Sequence, residues 1–183
     1  MKNKIILVGG YLATGKSTFS RNLGQKLNIP CFNKDVIKEV IGDGFGPESG
    51  EVFEKGSYVT FLLMLHIAEC FLKAQQIFIF ESNFKIWEIT QIKILLEKYD
   101  GECLTFRFKG DFDVIFERYD ARHKDRHWVH KSAGDKNGFK KVMAEKFGLE
   151  ELNNGQIIDV DTTDFTKVDY DDLYDIAKNF IED

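Results

Sequence analysis

Eight residues, Gly10-Tyr11-Leu12-Ala13-Thr14-Gly15-Lys16-Ser17, have the types and spacing needed to hold a phosphate chain. They fit G-x-x-x-x-G-K-[ST], in which backbone amides surround the phosphates, the lysine reaches the outer phosphates and the hydroxyl meets a divalent cation. Gly10 and Gly15 let the loop curl with its amides inward. Thr18 follows as a further hydroxyl. The pattern needs a strand before it and a helix after it. Lys4–Gly9 is an apolar, β-branched run of buried-strand length, and from Lys16 onward Phe19, Leu23 and Leu27 recur at helical spacing. A helix start carries unpaired amides and partial positive charge, so an anion is held there. These residues predict a nucleotide-binding chain, with Gly10 to Thr18 on the phosphates.

Two carboxylates further on have the placement for phosphoryl chemistry. Asp35 follows the loop Leu27–Asn33 and the short second strand it leads into, at the expected first turn of the next helix, with Lys38 one turn later. An acid there stabilises a helix dipole, but beside a phosphate loop it can orient an acceptor hydroxyl and take its proton. Lys38 would bind an anionic substrate group or balance Asp35. Glu81 ends the apolar run Gln76–Phe80, where an unpaired buried charge is costly. Its natural partner beside a phosphate loop is Mg²⁺, shared with Ser17. Ser82 and Asn83 follow as polar groups at the same strand end. Sequence alone leaves open whether Asp35 or Glu81 is the base.

Positive charge concentrates between Arg118 and Lys131 in a chain of net charge −5. Arg118, Arg122 and Arg126 are spaced by four and would share one helical face over the phosphates. His123, His127 and His130 have ligand-compatible spacings, but no cysteine completes a zinc set and the neighbouring cations oppose one. Asp161-Thr162-Thr163 leaves the last strand with small polar groups, which suit both an adenine edge and a plain turn.

The elements that must position these residues alternate strand and helix. After the Pro30 turn come a helix from Lys34, a glycine-rich loop over Gly42–Gly56, and an apolar helix over Tyr58–Ala74. Further helices are expected over Ile86–Tyr99, Phe112–Arg122, Phe139–Phe147 and Tyr170–Ile181, with strands at Cys103–Phe108 and Ile157–Asp161. This is the α/β pattern of a parallel sheet covered on both faces, with ligands at the carboxyl ends of its strands. At 183 residues, with no repeat or linker, one domain over 1–183 is expected. Cys31, Cys70 and Cys103 lie among apolar residues and read as buried thiols, and His66 reads as a packing histidine. Absence of a leader-like segment and of an uncharged 18-residue apolar run points to a cytoplasmic protein without a membrane span.

Taken together, Gly10–Thr18, Asp35-x-x-Lys38, Ile77–Phe84, Arg118-x-x-x-Arg122, Arg126-His127-x-x-His130 and Asp161-Thr162-Thr163 resemble the small P-loop kinases of the zeta-toxin-like group. That group takes in polynucleotide 5′-hydroxyl kinase-like and antibiotic phosphotransferase-like domains. The resemblance covers nearly the whole chain. It implies a three-layer P-loop NTPase fold, a parallel five-stranded sheet flanked by helices, and a helical lid over about 118–137. It also implies use of ATP with Mg²⁺ and transfer of the γ-phosphoryl group to a hydroxyl. Three positions depart from the usual pattern: Lys38 replaces an arginine, Glu81 an aspartate, and Trp128-Val129 a Pro-Gly pair.

On this reading Lys16, Asp35, Arg122 and Arg126 carry the chemistry, and Gly10–Thr18, Arg118 and Thr162 hold ATP. Ser17 and Glu81 hold the metal, and Asp35, Lys38, Tyr58 and Asn83 meet the acceptor. The acceptor is a small molecule or nucleotide-type hydroxyl compound; a nucleic-acid end is possible through the basic lid but not favoured. A nucleotide-binding module without transfer is the competing class. A regulatory GTPase is disfavoured because Asn33-Lys34-Asp35-Val36 comes too early for a guanine motif. A mechanochemical ATPase is disfavoured because Glu81-Ser82 lacks an adjacent acidic pair.

Overall fold

The computed structural model describes residues 2–123, 125–130, 135–144, 148–152 and 155–183. Its strands are β1 (Asn3–Gly10), β2 (Cys31–Asn33), β3 (Phe78–Glu81), β4 (Gly101–Lys109) and β5 (Gly155–Asp161). Its α-helices are α1 (Lys16–Leu27), α2 (Lys34–Phe45), α3 (Gly50–Lys73), α4 (Ile86–Lys98), α5 (Phe112–His123), α6 (Lys136–Ala144) and α7 (Tyr170–Glu182). All strand pairs are parallel, in the order β2-β3-β1-β4-β5.

The central strand shows why the sheet is covered on both sides. Ile5 and Leu7 enter one core with Phe61, Met64, Phe78, Ile89 and Leu96, which places α3 and α4 on that face. Ile6 and Val8 enter the other with Phe19, Leu23, Leu173 and Ala177, which places α1 and α7 opposite. Successive strand residues point to opposite faces, so a strand apolar at every position needs helices on both. A smaller cluster ties Ala13 of the phosphate loop to Ile115 and Tyr119 of α5 and Phe139 of α6.

Register then sets the site. Val8 and Asn33 both lie opposite Glu81, and Gly10 lies opposite Phe108. The carboxyl ends of β1, β2 and β3 therefore meet at one edge, with the phosphate loop leaving β1 there. The order of strands reverses around β1, where ligands enter sheets of this kind.

Several expectations change. Gly42–Gly56 is mostly helical: α2 runs to Phe45 and α3 starts at Gly50. Gly42 sits inside α2 because a Cβ there would meet Val129 Cγ2 at 3.0 Å, whereas Gly46, at φ 84°, ends the helix by donating its N–H to the Gly42 carbonyl at 2.8 Å. Of the three thiols, only Cys103 is buried; Cys31 is half-buried and Cys70 is exposed, as is His66. Lys55–Lys73 of α3 is, by length and composition, apolar enough to cross a membrane. Phe61, Met64, Ala68 and Leu72 of that helix pack into the core. The expected helix over Phe139–Phe147 is observed as Lys136–Ala144; residues 145–147 lie outside the described residues.

Candidate active site

The phosphate loop has the backbone that its glycines predict. Gly10 (φ 116°), Ala13 (φ 55°) and Gly15 (φ 83°) all take positive φ. A side chain at Gly10 would strike the Phe108 carbonyl at 2.1 Å, so close approach to β4 as well as conformation requires glycine there. The Tyr11 carbonyl gathers the loop: it accepts from Thr14 Oγ1 at 2.7 Å and from the Lys16 ammonium. The Tyr11 ring turns away into the α5–α6 cluster, as does part of Leu12.

Lys16 is buried, and desolvation lowers its pKa to about 8 against the opposing pull of Glu81 and Asp35; Arg122 lowers it further. A lysine held this way gains most from an arriving polyanion. Ser17 Oγ donates to Glu81 Oε2 at 3.0 Å, and the same oxygen accepts from Asn33 Nδ2. Burial pushes the Glu81 carboxyl up, while Lys16 and the hydrogen bonds from Ser17 and Asn33 pull it down and Asp35 pushes it up. A hydroxyl and a carboxylate meeting beside a phosphate loop form an oxygen-only donor set, which suits a hard divalent cation.

Asp35 stands in the first turn of α2. Its side chain is 58% exposed, facing Arg126 Nη2 at 3.5 Å and His130 Nδ1 at 4.0 Å. Three acids spaced by four along α2 face the arginine-rich segment. Glu39 Oε1 lies 2.7 Å from His130 Nε2, and Asp43 Oδ1 lies 2.9 Å from His127 Nε2. Each of these histidines is thus paired with a carboxylate of α2. Lys38 donates to the Val129 carbonyl at 3.0 Å, so its ammonium fastens this segment rather than reaching into the cleft. The side chain of His123, together with Lys124 and Lys131, lies outside the described residues.

A cleft of about 640 Å³ joins these groups. Leu12–Thr18, Asp35, Glu81, Asn83, Arg122 and Arg126 all line it. Most of the residues singled out from sequence therefore meet in one place. Tyr58 does not line this cleft; its ring lies against Trp87 at 5.4 Å. Thr162 is fully buried and its hydroxyl donates to the Lys109 carbonyl at 3.0 Å, closing β5 onto β4.

A second pocket of about 350 Å³ opens on the other side of Gly15 and is lined by Thr18, Asn22, Phe165, Tyr170 and Tyr174. Arg118 frames it, with its guanidinium 4.0 Å above the Phe165 ring and donating to the Thr162 and Thr163 carbonyls at 2.5 and 2.8 Å. Sequence reading placed a base contact at Thr162, whose side chain is spent within the sheet. The aromatic three residues further on was the available signal. Asn33 was missed as well; its polar side chain just before Asp35, on an otherwise apolar strand, was the clue.

Strand order, phosphate loop and strand-end carboxylates together give this chain the fold of the small P-loop kinases. Its match to solved structures places it beside a candidate kinase from Chloroflexus aurantiacus, with 26% identity, a TM-score of 0.85 and 98% of each chain covered. A sugar kinase from Janibacter superposes with a TM-score of 0.61 at 14% identity, covering 100% of this chain and 95% of its own. Chaetomium thermophilum Kti12, solved with ADP-AlF3, superposes with a TM-score of 0.62 at 14% identity over 93% of this chain and 97% of its own. No protein-family model and no curated protein sequence matches the chain.

Proposed function

We propose that the chain is an ATP-dependent kinase that transfers the γ-phosphoryl group to a hydroxyl acceptor. The observation that carries this reading is the placement of Asp35. Its exposed carboxylate faces the same cleft as Lys16, Glu81, Arg122 and Arg126. A helix-start acid stabilises the dipole in any protein, but one left exposed and facing the phosphate cleft supports transfer, because a kinase needs a carboxylate beside the attacking hydroxyl.

The adenine would enter the pocket between Arg118, Phe165 and Tyr174, where aromatic faces and a guanidinium suit a flat base. Loop amides and Lys16 would hold the β- and γ-phosphates. Ser17 and Glu81 would hold Mg²⁺, which when bound neutralises phosphate charge. Asp35 would accept the proton of the acceptor hydroxyl as its oxygen attacks the γ-phosphorus. The bond from phosphorus to the β–γ bridging oxygen then breaks and ADP leaves. Arg122 and Arg126 would offset charge on the transferring group. Glu81 is buried and already accepts from Ser17 and Asn33, which favours Asp35 over Glu81 as the base.

The test is transfer from γ-labelled ATP to a panel of polyols, sugars, amino sugars, nucleosides and 5′-hydroxyl oligonucleotides. Label is expected in one class. Asp35→Asn is expected to lose about 100-fold or more of that transfer while binding ATP normally. Unchanged transfer in this variant removes Asp35 as base. ATP binding with no acceptor labelled in any class would leave a nucleotide-binding module as the function.

A further inference from the structure

His127 and His130 meet α2 alike through one ring nitrogen and differ in what the other does. An ionised carboxylate only accepts, so Nε2 carries the proton in both pairs: His127 donates to Asp43 at 2.9 Å and His130 to Glu39 at 2.7 Å. In a neutral ring the lone pair is then on Nδ1. His127 spends that lone pair on the Val129 amide, which donates to it at 3.3 Å. Among the described residues, Nδ1 of His130 has no hydrogen bond, and it faces Asp35 Oδ1 at 4.0 Å. The His130 side chain is only 6% exposed, so few water molecules can reach it. Its place is fixed from several sides. Val129 is buried against Gly42, Lys38 holds the Val129 carbonyl, and the His130 amide donates to the His127 carbonyl at 3.1 Å.

We infer that His130 is a positioning residue for Asp35, taking from it the proton that Asp35 takes from the acceptor, with Glu39 holding the ring. This rests on the kinase reading above. A carboxylate and an imidazole lone pair are both acceptors and cannot share a hydrogen bond, so Asp35 and Nδ1 stand apart in the resting protein. As the acceptor oxygen attacks the γ-phosphorus, its proton moves to Asp35. The carboxyl now has an O–H to donate, the 4.0 Å gap closes to hydrogen-bond length, and the proton passes to Nδ1. Asp35 is a carboxylate again, and the imidazolium lies between Asp35 and Glu39, where two negative charges stabilise it. One proton has moved from acceptor to ring, and water removes it after the products leave. His127, with no free lone pair, serves only to fasten the segment to α2.

The experiment is the pH dependence of kcat for phosphoryl transfer from γ-labelled ATP, to the acceptor class found in the panel above or to water. The charged groups around the ring are Asp35, Lys38 and Glu39 of α2, Arg122 of α5, and Arg126 and His127 of its own segment. Lys16 titrates higher, at about 8. Wild type is expected to lose rate as pH falls through the range of about 5 to 8 where imidazoles titrate, because an imidazolium cannot take the proton. His130→Gln keeps an N–H for Glu39 but cannot take a proton. It is expected to lose about 10- to 100-fold in kcat together with that acid limb, with KM for ATP within about twofold. Glu39→Gln can donate to Nε2 and so turn the lone pair away from Asp35, and is expected to show a similar loss. His127→Gln is expected to keep kcat within about threefold and to keep the acid limb. Wild-type kcat in His130→Gln overturns the proposal and leaves Asp35 as an unaided base. So does a wild-type rate that rises as pH falls, which would make Glu39 and His130 a charged clasp. A loss in His130→Gln that leaves the acid limb in place also overturns it, assigning the limb to another group. Wild type that binds ATP but transfers to no acceptor, water included, removes the kinase reading and this one with it.

Discussion

Asn33 holds Glu81 with one end of its carboxamide and caps α2 with the other. Nδ2 donates to Glu81 Oε2, while Oδ1 accepts from the Val36 amide at 3.1 Å. One side chain thus ties the carboxylate best placed for a metal to the helical turn that carries Asp35. Aspartate caps a helix as well as asparagine does, but at this position it would set a second carboxylate against a buried one. Asn33→Asp is therefore expected to lower the melting temperature at neutral pH, less so as pH falls and one carboxyl is protonated, and to lose at least about tenfold in ATP turnover at neutral pH. Asn33→Ala is expected to lose about 1 kcal/mol with the cap as well. Thermal melts beside an Mg²⁺ titration of turnover separate the two effects. Wild-type turnover in Asn33→Asp, with unchanged metal dependence, would break the link.

Lys16 is expected to make nucleotide binding pH-dependent. Burial lowers its pKa to about 8, and an arriving triphosphate raises it again. Binding near pH 8 and above must therefore take up a proton, and affinity is expected to fall as pH rises through 8. Calorimetry in buffers of different ionisation enthalpy reads that uptake directly. For folding the sign is opposite. The folded pKa lies below the unfolded value, so the unfolded chain binds more protons between about 8 and 10.5. The charged, buried lysine weakens the nucleotide-free protein by a few kcal/mol below pH 8, and that penalty fades as pH rises. Lys16→Met is expected to abolish the ATP-induced shift in melting temperature without lowering the melting temperature of the free protein. No proton uptake at pH 8 would contradict the buried, partly neutral lysine.

Much of this arrangement could be read from residues alone, for a physical reason. Lys4–Gly9, Gly10–Ser17 and Glu81 are governed by local rules: buried strands are apolar, tight loops need glycine, and a carboxylate ending an apolar strand needs a partner. Residues whose role depends on what lies across from them were harder to read. Gly42 looked like a loop residue because glycine weakens helices, and only Val129, distant in sequence, explains it. Lys38 looked like a substrate ligand because it shares a helix with Asp35, yet its partner is the Val129 carbonyl. Thr162 and Phe165 differ by three positions, and only the fold shows which of them faces the pocket.

Gly42 tests how far the arginine-rich segment must rest on α2. Alanine would help the helix by about 1 kcal/mol but crowd Val129 at 3.0 Å, so Gly42→Ala is expected to be close to neutral in stability. Gly42→Leu cannot be accommodated without lifting Val129, which would carry Arg126 away from Asp35. It is expected to lower kcat at least tenfold with little change in ATP affinity. Equal activity in the leucine variant would show that this docking does not matter for turnover.

On the proposed reading, a change at Phe165 is expected to separate base recognition from phosphate recognition. It lies beneath the Arg118 guanidinium and close to Gly15, on the opposite side of the loop from Asp35. Phe165→Ala removes one face of the proposed adenine slot, and stacking of a base on an aromatic ring is worth about 1–3 kcal/mol. ATP affinity is expected to fall roughly tenfold to 100-fold, with inorganic tripolyphosphate bound as in wild type. Parallel loss of both ligands would mean that Phe165 shapes the phosphate loop and does not meet the base.

The buried pair Lys34–Glu88 supports the turn that presents Asp35. The ammonium of Lys34 meets Glu88 Oε1 and lies 5.5 Å from the centre of the Phe61 ring, while Glu88 Oε2 accepts from the Lys85 amide at 3.0 Å and so caps α4. Both side chains are almost fully buried. Removing one charge strands the other, a loss of about 3–5 kcal/mol, whereas replacing both with apolar groups of similar size is often neutral. Glu88→Gln keeps an oxygen for the cap but leaves Lys34 unpaired, so it is expected to unfold at markedly lower urea. The double variant Lys34→Met, Glu88→Gln is expected to recover most of that stability. A double-mutant cycle in urea reads the coupling. If the double variant is no more stable than Glu88→Gln, the loss comes from the α4 cap and not from a stranded charge next to Asp35.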